Sequence, residues 1–438
     1  MTSEALLRKG WCPGARRPMP AKDGLLIRLR ISGGRVMSAT LRALAKAGRD
    51  HGNGLFDLTT RGNLQIRGVH ERSQPALLET LDGLGLIDED AAKEAVRNVL
   101  VSPLAGLDGR SEAREAAKAL EATLGADKDL YGLPGKFGFL IDDGSALSLG
   151  AIPADIRFDW NAGTQSFAIG IGGNAKEAVH LGYCGGGDIP SIALRLARVF
   201  LRLQSSMEEP PRRMAGLLAH RGAKAITEMA GLRVTAPPRV GAIEDPCPIG
   251  LMRFHDKYGF GAGAAFGLFD ATMLDAAARA ADEFGTGEIR LTPWRALILP
   301  YVSEAQTTAM RSYFAAHGFI TDPEDARLAV TACGGNATCA QGTTDTRADA
   351  MALMGPARGL RPIGAALHVS GCVKGCGRQA APLTLIAHDG LYDLVTDPSA
   401  RDVGAADARR LGLAAMRDTL QAAARNTRPR RALGSGQP

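Results

Sequence analysis

A gapless internal repeat constrains this chain more than any other feature of it. The segment GRVMSATLRALAKAGRDHGNGLFDLTTRGNLQIRGV, beginning at Gly34, aligns on GLFDATMLDAAARAADEFGTGEIRLTPWRALILPYV, beginning at Gly267, at a constant offset of 233 positions. Gly52 and Gly54 meet Gly285 and Gly287, Leu58-Thr59 meets Leu291-Thr292, and Leu64 and Val69 meet Leu297 and Val302. Cys12-Pro13 is echoed more loosely by Cys247-Pro248. Two alanine-rich helices resemble each other easily by chance, but chance does not also match the glycine turn and the strand behind it. Each copy reads as an extended segment, a helix with apolar residues near a 3.6-residue period, a glycine turn and a strand. A small α+β unit used twice predicts a pseudo-twofold pair, with a ligand cleft between related halves.

The rest of the chain is organised around these copies. Proline-rich stretches at 208–213 (EEPPRR) and 236–239 (APPR) disfavour continued helix or central strand and mark boundaries. The expected division is a first half-repeat over 1–75, an α/β segment over 76–235, a second half-repeat over 236–318, a cysteine-bearing α/β segment over 319–425, and a disordered tail over 426–438. Periodicity predicts helices over 110–124 and 191–203, and strands over 137–141, 166–171, 365–369 and 383–388.

Composition narrows the class. With 45% apolar and 22% charged residues among 438, the chain is neither disordered nor fibrous. A net charge of +6 suits an anionic ligand. No basic block carries the interleaved aromatics of a nucleic-acid groove, and Arg428, Arg430 and Arg431 sit in the Pro/Gly-rich tail, so no nucleic-acid partner is expected. No apolar run approaches the roughly 18 residues of a membrane span, and the first residues lack the apolar core of a signal peptide. A cytoplasmic protein with no membrane partner is the expectation.

Four of the seven cysteines fall in two close pairs near the C-terminus, Cys333-x5-Cys339 and Cys372-x3-Cys376. The loops ACGGNATCAQG and HVSGCVKGCGRQ are rich in glycine, which lets backbone wrap around inorganic sulfides and donate N–H groups to them. A zinc site is the alternative, although its knuckles favour a two-residue spacing that neither pair has. Cys12, Cys184 and Cys247 read as buried, inert thiols. A second constellation is basic: Arg61 and Arg67 on the strand closing the first repeat, Arg97 in AVRNVLVSP, Lys136 in LPGKFGF, and Arg295 near the matching strand of the second repeat. In glycine-rich or apolar surroundings, such forks suit carboxylate recognition. GIGGNA at 170–175 lacks the βαβ setting of a dinucleotide loop, and GYCGGGD at 182–188 reads as a plain turn. His51, His255 and His368 spell no metal triad.

Taken together and in this order, the duplicated unit, LTTRGNLQIRGV, NVLVSP, LPGKFG and the paired cysteines resemble the sulfite and nitrite reductase superfamily over nearly the whole chain to about residue 395. Within it, DGLLIRLRISGG, GNGLFDLTTRGNLQIRGV and LTPWRAL resemble the oxygen-using branch that acts on precorrin-3A in aerobic cobalamin biosynthesis. The resemblance implies an α+β fold, with a pseudo-twofold pair of ferredoxin-like half-domains plus two α/β domains around a tetrapyrrole. It implies that Cys333, Cys339, Cys372 and Cys376 ligate a 4Fe-4S cluster. Arg61, Arg97 and Lys136 match the basic residues that line the substrate and are the expected catalytic set; Arg67 and Arg295, read from the residues alone, join them as expected substrate-binding groups. A second lysine usual in the superfamily is replaced by Gly138, which removes a charge needed for a small anion such as sulfite.

The implied reaction is an oxygen-dependent hydroxylation of precorrin-3A with lactone closure. Electrons would come from an external donor, an NADH-linked reductase or a ferredoxin, by way of the cluster. A mononuclear non-haem iron is a further cofactor of that branch, and no 2-His-1-carboxylate pattern for it is legible. The competing expectations are a sirohaem-dependent sulfite or nitrite reductase, a non-catalytic tetrapyrrole or iron–sulfur carrier, and a zinc-stabilised structural protein.

Overall fold

The computed structural model describes residues 12–107, 112–238, 246–360, 364–377, 383–396 and 408–427. These residues form two compact units. One holds 12–20 and 24–321; the other holds 21–23 and the described residues from 322 onward.

In the first unit the chain begins with β1 (Met19–Ala21), β2 (Gly24–Leu29), β3 (Arg35–Met37), helix α1 (Ser38–His51), β4 (Leu55–Leu58), β5 (Leu64–Val69) and helix α2 (Gln74–Gly83). After a short helix α3 (Ala91–Val96) come β6 (Val99–Val101), α4 (Ala113–Ala126), β7 (Phe139–Asp142), β8 (Ala154–Asn161), β9 (Ser166–Gly173) and β10 (Val179–Cys184). Helices α5 (Ile189–Gln204) and α6 (Met214–Ala230) follow, then β11 (Gly250–Phe254), β12 (Lys257–Gly263), β13 (Leu268–Asp270), α7 (Ala271–Phe284), β14 (Glu288–Leu291), β15 (Ala296–Pro300) and α8 (Thr307–Ala316). Shifting β3, α1, β4 and α2 by 233 lands exactly on β13, α7, β14 and α8, so the repeat is longer than the sequence alone shows.

The two copies interlock. One sheet has the order β1-β2-β5-β4-β13 and the other β11-β12-β15-β14-β3, so each copy lends a three-residue strand to the sheet of the other. Phe269 faces Phe56, and Val36 faces Ile289, across these borrowed pairings. The helices form because their apolar residues fall on one face: Leu41, Leu44, Ala45 and Gly48 are buried in α1, and Leu274, Ala277, Ala278 and Ala281 in α7. Small residues let α1 and α7 pack closely. Asp270 caps α7 by accepting from the Met273 amide at 2.8 Å, while the matching residue of the first copy, Met37, supplies no such cap. A single apolar core runs through both copies and includes Ile27, Leu41, Phe56, Phe260, Phe269 and Leu274.

Between the copies lies a sheet of order β10-β9-β8-β7-β6, with β6, β7 and β8 parallel and β8, β9 and β10 antiparallel. The stretch 182–188, expected as a plain turn, contributes its first residues to β10, because Tyr183 and Cys184 pair with Ala168 and Phe167. The prolines at 210–211 separate α5 from α6, which pack together within this same unit. The helix expected from residue 110 is described from Ala113.

The second unit contains β16 (Val330–Ala332), α9 (Gly335–Thr338), α10 (Thr346–Leu360), β17 (Leu367–Ser370), β18 (Leu383–His388), β19 (Leu391–Val395), β20 (Ala408–Leu411) and α11 (Leu413–Thr427). Its sheet, β16-β17-β18-β19-β20, repeats the pattern of the first unit's α/β sheet: two parallel pairings, then two antiparallel ones. The duplication therefore reaches the α/β segments, where no sequence repeat is visible. The expected tail beyond 427, with Arg428, Arg430 and Arg431, lies outside the described residues. No helix among the described residues is long and apolar enough to cross a membrane.

Candidate functional site

The cysteine loops occupy the ends of adjacent parallel strands. Cys333 follows β16 directly, its amide donating to the Val369 carbonyl at 3.1 Å, and Cys372 lies two residues beyond β17. The Gly371 amide donates to Cys333 Sγ at 3.2 Å. Three glycines pack backbone against backbone here. A Cβ on Gly342 would run into the Gly335 backbone, and one on Gly371 would lie 3.2 Å from the Gly342 Cα. This is a glycine cradle that brings backbone close against the loops, with the Gly371 amide already facing sulfur, and it fits a four-thiolate cluster. Burial pushes the Cys372 thiol up, and the charges of Cys333 and Cys339 add to that rise, a repulsion that a bound metal would relieve. Cys339 and Cys376 are exposed.

The hairpin tip holds the first loop in place. Lys22 N–H donates to the Thr338 carbonyl at 3.1 Å, and Lys22 Nζ to the Asn336 carbonyl at 2.9 Å, just before Cys339. His368 is fully buried with Nδ1 2.9 Å from Thr331 Oγ1, a core position beside the loops. Among the described residues, no three His, Cys, Asp or Glu side chains converge tightly enough for a single metal ion, so the mononuclear iron finds no ligand set here. A four-iron cube spreads its thiolates more widely than one ion does.

The same place in the first unit's α/β sheet is filled by oxygen chemistry. Val101 pairs with Ile141 as Ala332 pairs with Val369, so Ser102 is the counterpart of Cys333 and Asp143 of Gly371. The Asp143 amide donates to Ser102 Oγ at 2.9 Å, just as Gly371 donates to Cys333 Sγ. Ser102 in turn donates to Asp142, which also accepts from Ser148 Oγ and the Gly144 and Leu149 amides. Burial, then the Asp159 charge, pushes Asp142 up to about 6.

The basic set separates into distinct environments. Arg61 lies in the β4–β5 turn, where burial and then the like charge of Arg213 lower its guanidinium below the usual range. A Cβ on Gly138 would sit 2.6 Å from Arg61 Nη1 and 3.0 Å from Asn98 Nδ2, so the guanidinium occupies the ground a side chain would take. Asp155 organises this corner. It is 1% exposed and accepts from Gly138 N at 2.8 Å, Met214 N at 2.8 Å, Arg213 Nε at 3.0 Å and Arg213 Nη2 at 2.9 Å.

Arg97 sits elsewhere, forked onto Asp88 through Nε at 2.9 Å and Nη2 at 2.7 Å. It lines a cavity of about 490 Å³ with Arg30, Asp88, Lys93, Lys118 and Glu121, a size suited to a ligand. Burial raises the Glu121 carboxyl, although Ser32 hydrogen-bonds to it. Arg67 is a buried sheet residue paired with Asp57 at 2.6 Å, so its charge is met within the fold. Arg295 is also buried. It falls on Gly62 in the repeat, keeps that glycine's positive φ at 61°, and packs over Gly267. Lys136 is exposed in the loop before β7. Arg61, Arg97, Arg67 and Arg295 thus do not form one cluster of free charges.

Two expectations about cysteines are revised. Cys184 is buried and its thiol pushed up to about 12, as an inert core thiol should be. Cys12 and Cys247 are only half-buried. Cys12 takes a hydrogen bond from Arg28, whose guanidinium burial and Arg30 bring down to about 10, and it also faces Arg30 and Arg61. Sequence reasoning singled out none of Arg28, Arg30, Asp155 and Arg213. The two-residue spacing of Arg28 on β2 and Arg30 just beyond its end was a legible sign of a shared face.

The profile of the nitrite/sulfite reductase ferredoxin-like half domain matches residues 17–84 and 253–317, the two interlocked copies. A precorrin-3B synthase from Sinorhizobium sp is 28% identical over 408 residues, covering 92% of this chain and 86% of that protein. A ferredoxin–nitrite reductase from Synechococcus elongatus is 28% identical over 398 residues, covering 82% and 76%. The NirA protein of Mycobacterium tuberculosis superposes with a TM-score of 0.71 at 21% identity, over 84% of this chain and 74% of that one, a likeness of fold.

Proposed function

From a chain that belongs to the sulfite and nitrite reductase superfamily, we propose a precorrin-3B synthase: an oxidoreductase that hydroxylates precorrin-3A with molecular oxygen and closes a lactone. The balance is that of a monooxygenase. One oxygen atom enters the macrocycle, and the other leaves as water after taking up two electrons and two protons. The observation that carries this reading is Gly138. With glycine here the Arg61 guanidinium fills the ground where a side chain would begin, 2.6 Å from a Cβ, and the charge that would serve a small inorganic anion is absent.

Cys333, Cys339, Cys372 and Cys376 would hold a 4Fe-4S cluster, and when bound it supplies single electrons from an external ferredoxin or NADH-linked reductase. The protein's own part is binding and orientation. Arg61 offers a desolvated, planar donor to a carboxylate of the macrocycle, and the same low dielectric that lowers its pKa strengthens that contact. Lys136 and Arg97 are further candidates, with Arg97 exchanging Asp88 for a substrate carboxylate in the 490 Å³ cavity. Arg67 and Arg295 act by holding the sheets around them.

The alternative is a sirohaem-dependent nitrite or sulfite reductase, favoured by the extent of the Synechococcus elongatus likeness. An optical spectrum of anaerobically purified protein, with iron and sulfide quantified, separates the two. A broad cluster band without sharp sirohaem bands, perturbed by added precorrin-3A and followed by oxygen-dependent turnover, supports the synthase. Sharp sirohaem bands in the protein as isolated overturn it.

A further inference from the structure

We infer that Arg213 joins Arg61 in clamping one peripheral carboxylate of the ligand, so that a doublet of guanidinium groups reads the anion. This rests on the tetrapyrrole reading above and adds a residue to it.

Arg213 and Arg61 come from distant parts of the first unit, the N-cap of α6 and the β4–β5 turn, and meet over Gly138 and Asp155. Arg61 Nη1 stands where a Gly138 side chain would begin, and the Gly138 amide is bonded to the same Asp155 oxygen that pairs with Arg213 Nη2. Among the described residues, no acceptor takes a hydrogen bond from the Arg61 guanidinium, and only its backbone amide is bonded, to Thr59 Oγ1. Asp155 already serves four donors. Two half-buried cations therefore share one saturated carboxylate, a local excess of positive charge that an anion would neutralise.

The geometry suits a carboxylate. A guanidinium has five N–H donors; Asp155 engages the Nε and Nη2 of Arg213, leaving the outer edge for a ligand. The Arg213 side chain is 36% exposed, so that edge is reachable. Asp155 acts as a positioning residue, fixing the Arg213 fork and the Gly138 backbone together, and Gly138 keeps the space over Arg61 clear.

The test titrates the full-length protein with precorrin-3A and with uroporphyrin, a stable carboxylate-rich macrocycle, following the change in tetrapyrrole absorbance and fluorescence. Arg213→Gln and Arg61→Gln are each expected to weaken binding about tenfold, the loss of one charge-assisted contact. The double variant should lose less than the product of the two, because both groups hold one carboxylate. Arg213→Lys, which keeps the charge and the reach to Asp155, should fall between wild type and Arg213→Gln, and circular dichroism checks that each variant is folded. With the methyl ester of uroporphyrin the Arg213 variants should match wild type.

If wild type binds the macrocycle and both Arg213 variants bind equally well, the doublet is wrong and the proposed function stands. If wild type binds no tetrapyrrole and instead binds sulfite in an Arg213-dependent manner, the site reads a small anion and both proposals fall. Binding of neither ligand overturns both as well.

Discussion

Phe56 and Phe269 face each other across an antiparallel pairing that joins one copy of the repeat to the other, and both rings are fully buried. Because β13 belongs to the second copy but completes the first copy's sheet, this contact is shared property of the two halves. Phe269→Ala should cost roughly 3–5 kcal/mol, the range for removing a buried aromatic ring. Denaturant unfolding should show a lower midpoint in a single transition, with the slope unchanged. Loss of hydrogen-exchange protection in β4 and β14 at different denaturant concentrations would mean that the copies fold as separate bodies, whereas a separate step confined to the second unit would not.

The equivalence of Ser102 and Cys333 sets up a contrast between two loops of like topology. Cys376→Ser should bleach the cluster, since one of four anchoring thiolates is gone. Ser102→Ala should leave iron and sulfide content at the wild-type level, because it lies in the oxygen-based counterpart. Retained iron in Cys376→Ser would remove that residue from the ligand set.

Lys22 ties the hairpin tip to the carbonyls preceding Cys339. Lys22→Ala deletes the side-chain half of this clamp and keeps the backbone half. Cluster iron should then pass to a chelator several-fold faster, about the factor expected for one lost hydrogen bond. Unchanged release kinetics would show that the loop needs no such support.

Asp142 gives a pH signature. Its carboxyl, raised from 3.8 to about 6, stays protonated in the folded state over a window in which the unfolded chain has already ionised. Stability supplied by that bound proton is complete below about pH 4, declines as pH rises towards 6, and levels off above it, a change of ~3 kcal/mol. Asp142→Asn cannot titrate. Wild-type stability measured against this variant should therefore fall between pH 4 and 6 and then stay flat; parallel curves across that range would contradict the assignment.

Much of this architecture was legible because helix and strand periods survive in a single sequence. The match of α1 to α7 and of β4 to β14 followed from spacing alone. Strand exchange did not, because β3 and β13 are three residues long, too short to show alternation or to declare a partner. The likeness of the two α/β sheets was hidden for another reason: pairing order is a backbone property, and Ser102 and Cys333 share no chemistry that an alignment would score. At the site, Arg67 looked like a ligand-binding arginine because its partner Asp57 lies on the neighbouring strand. Arg295 is the opposite case, since the repeat itself places it on Gly62 and Trp294 on Arg61. Asp155 and Arg213 carry no motif and became visible only when the chain brought them to Gly138.

The exchanged strands also set a timetable for synthesis. As the chain leaves the ribosome, β4 is made long before β13, and the first sheet must wait with an open edge while the intervening residues are assembled. At roughly 5–20 residues per second, that wait lasts on the order of ten to fifty seconds. An uncovered strand edge invites pairing with other chains over such an interval. The nascent first half is thus the stage at which this protein most needs a chaperone, and a message that stalls translation before residue 268 should yield aggregate and not a stable half-molecule.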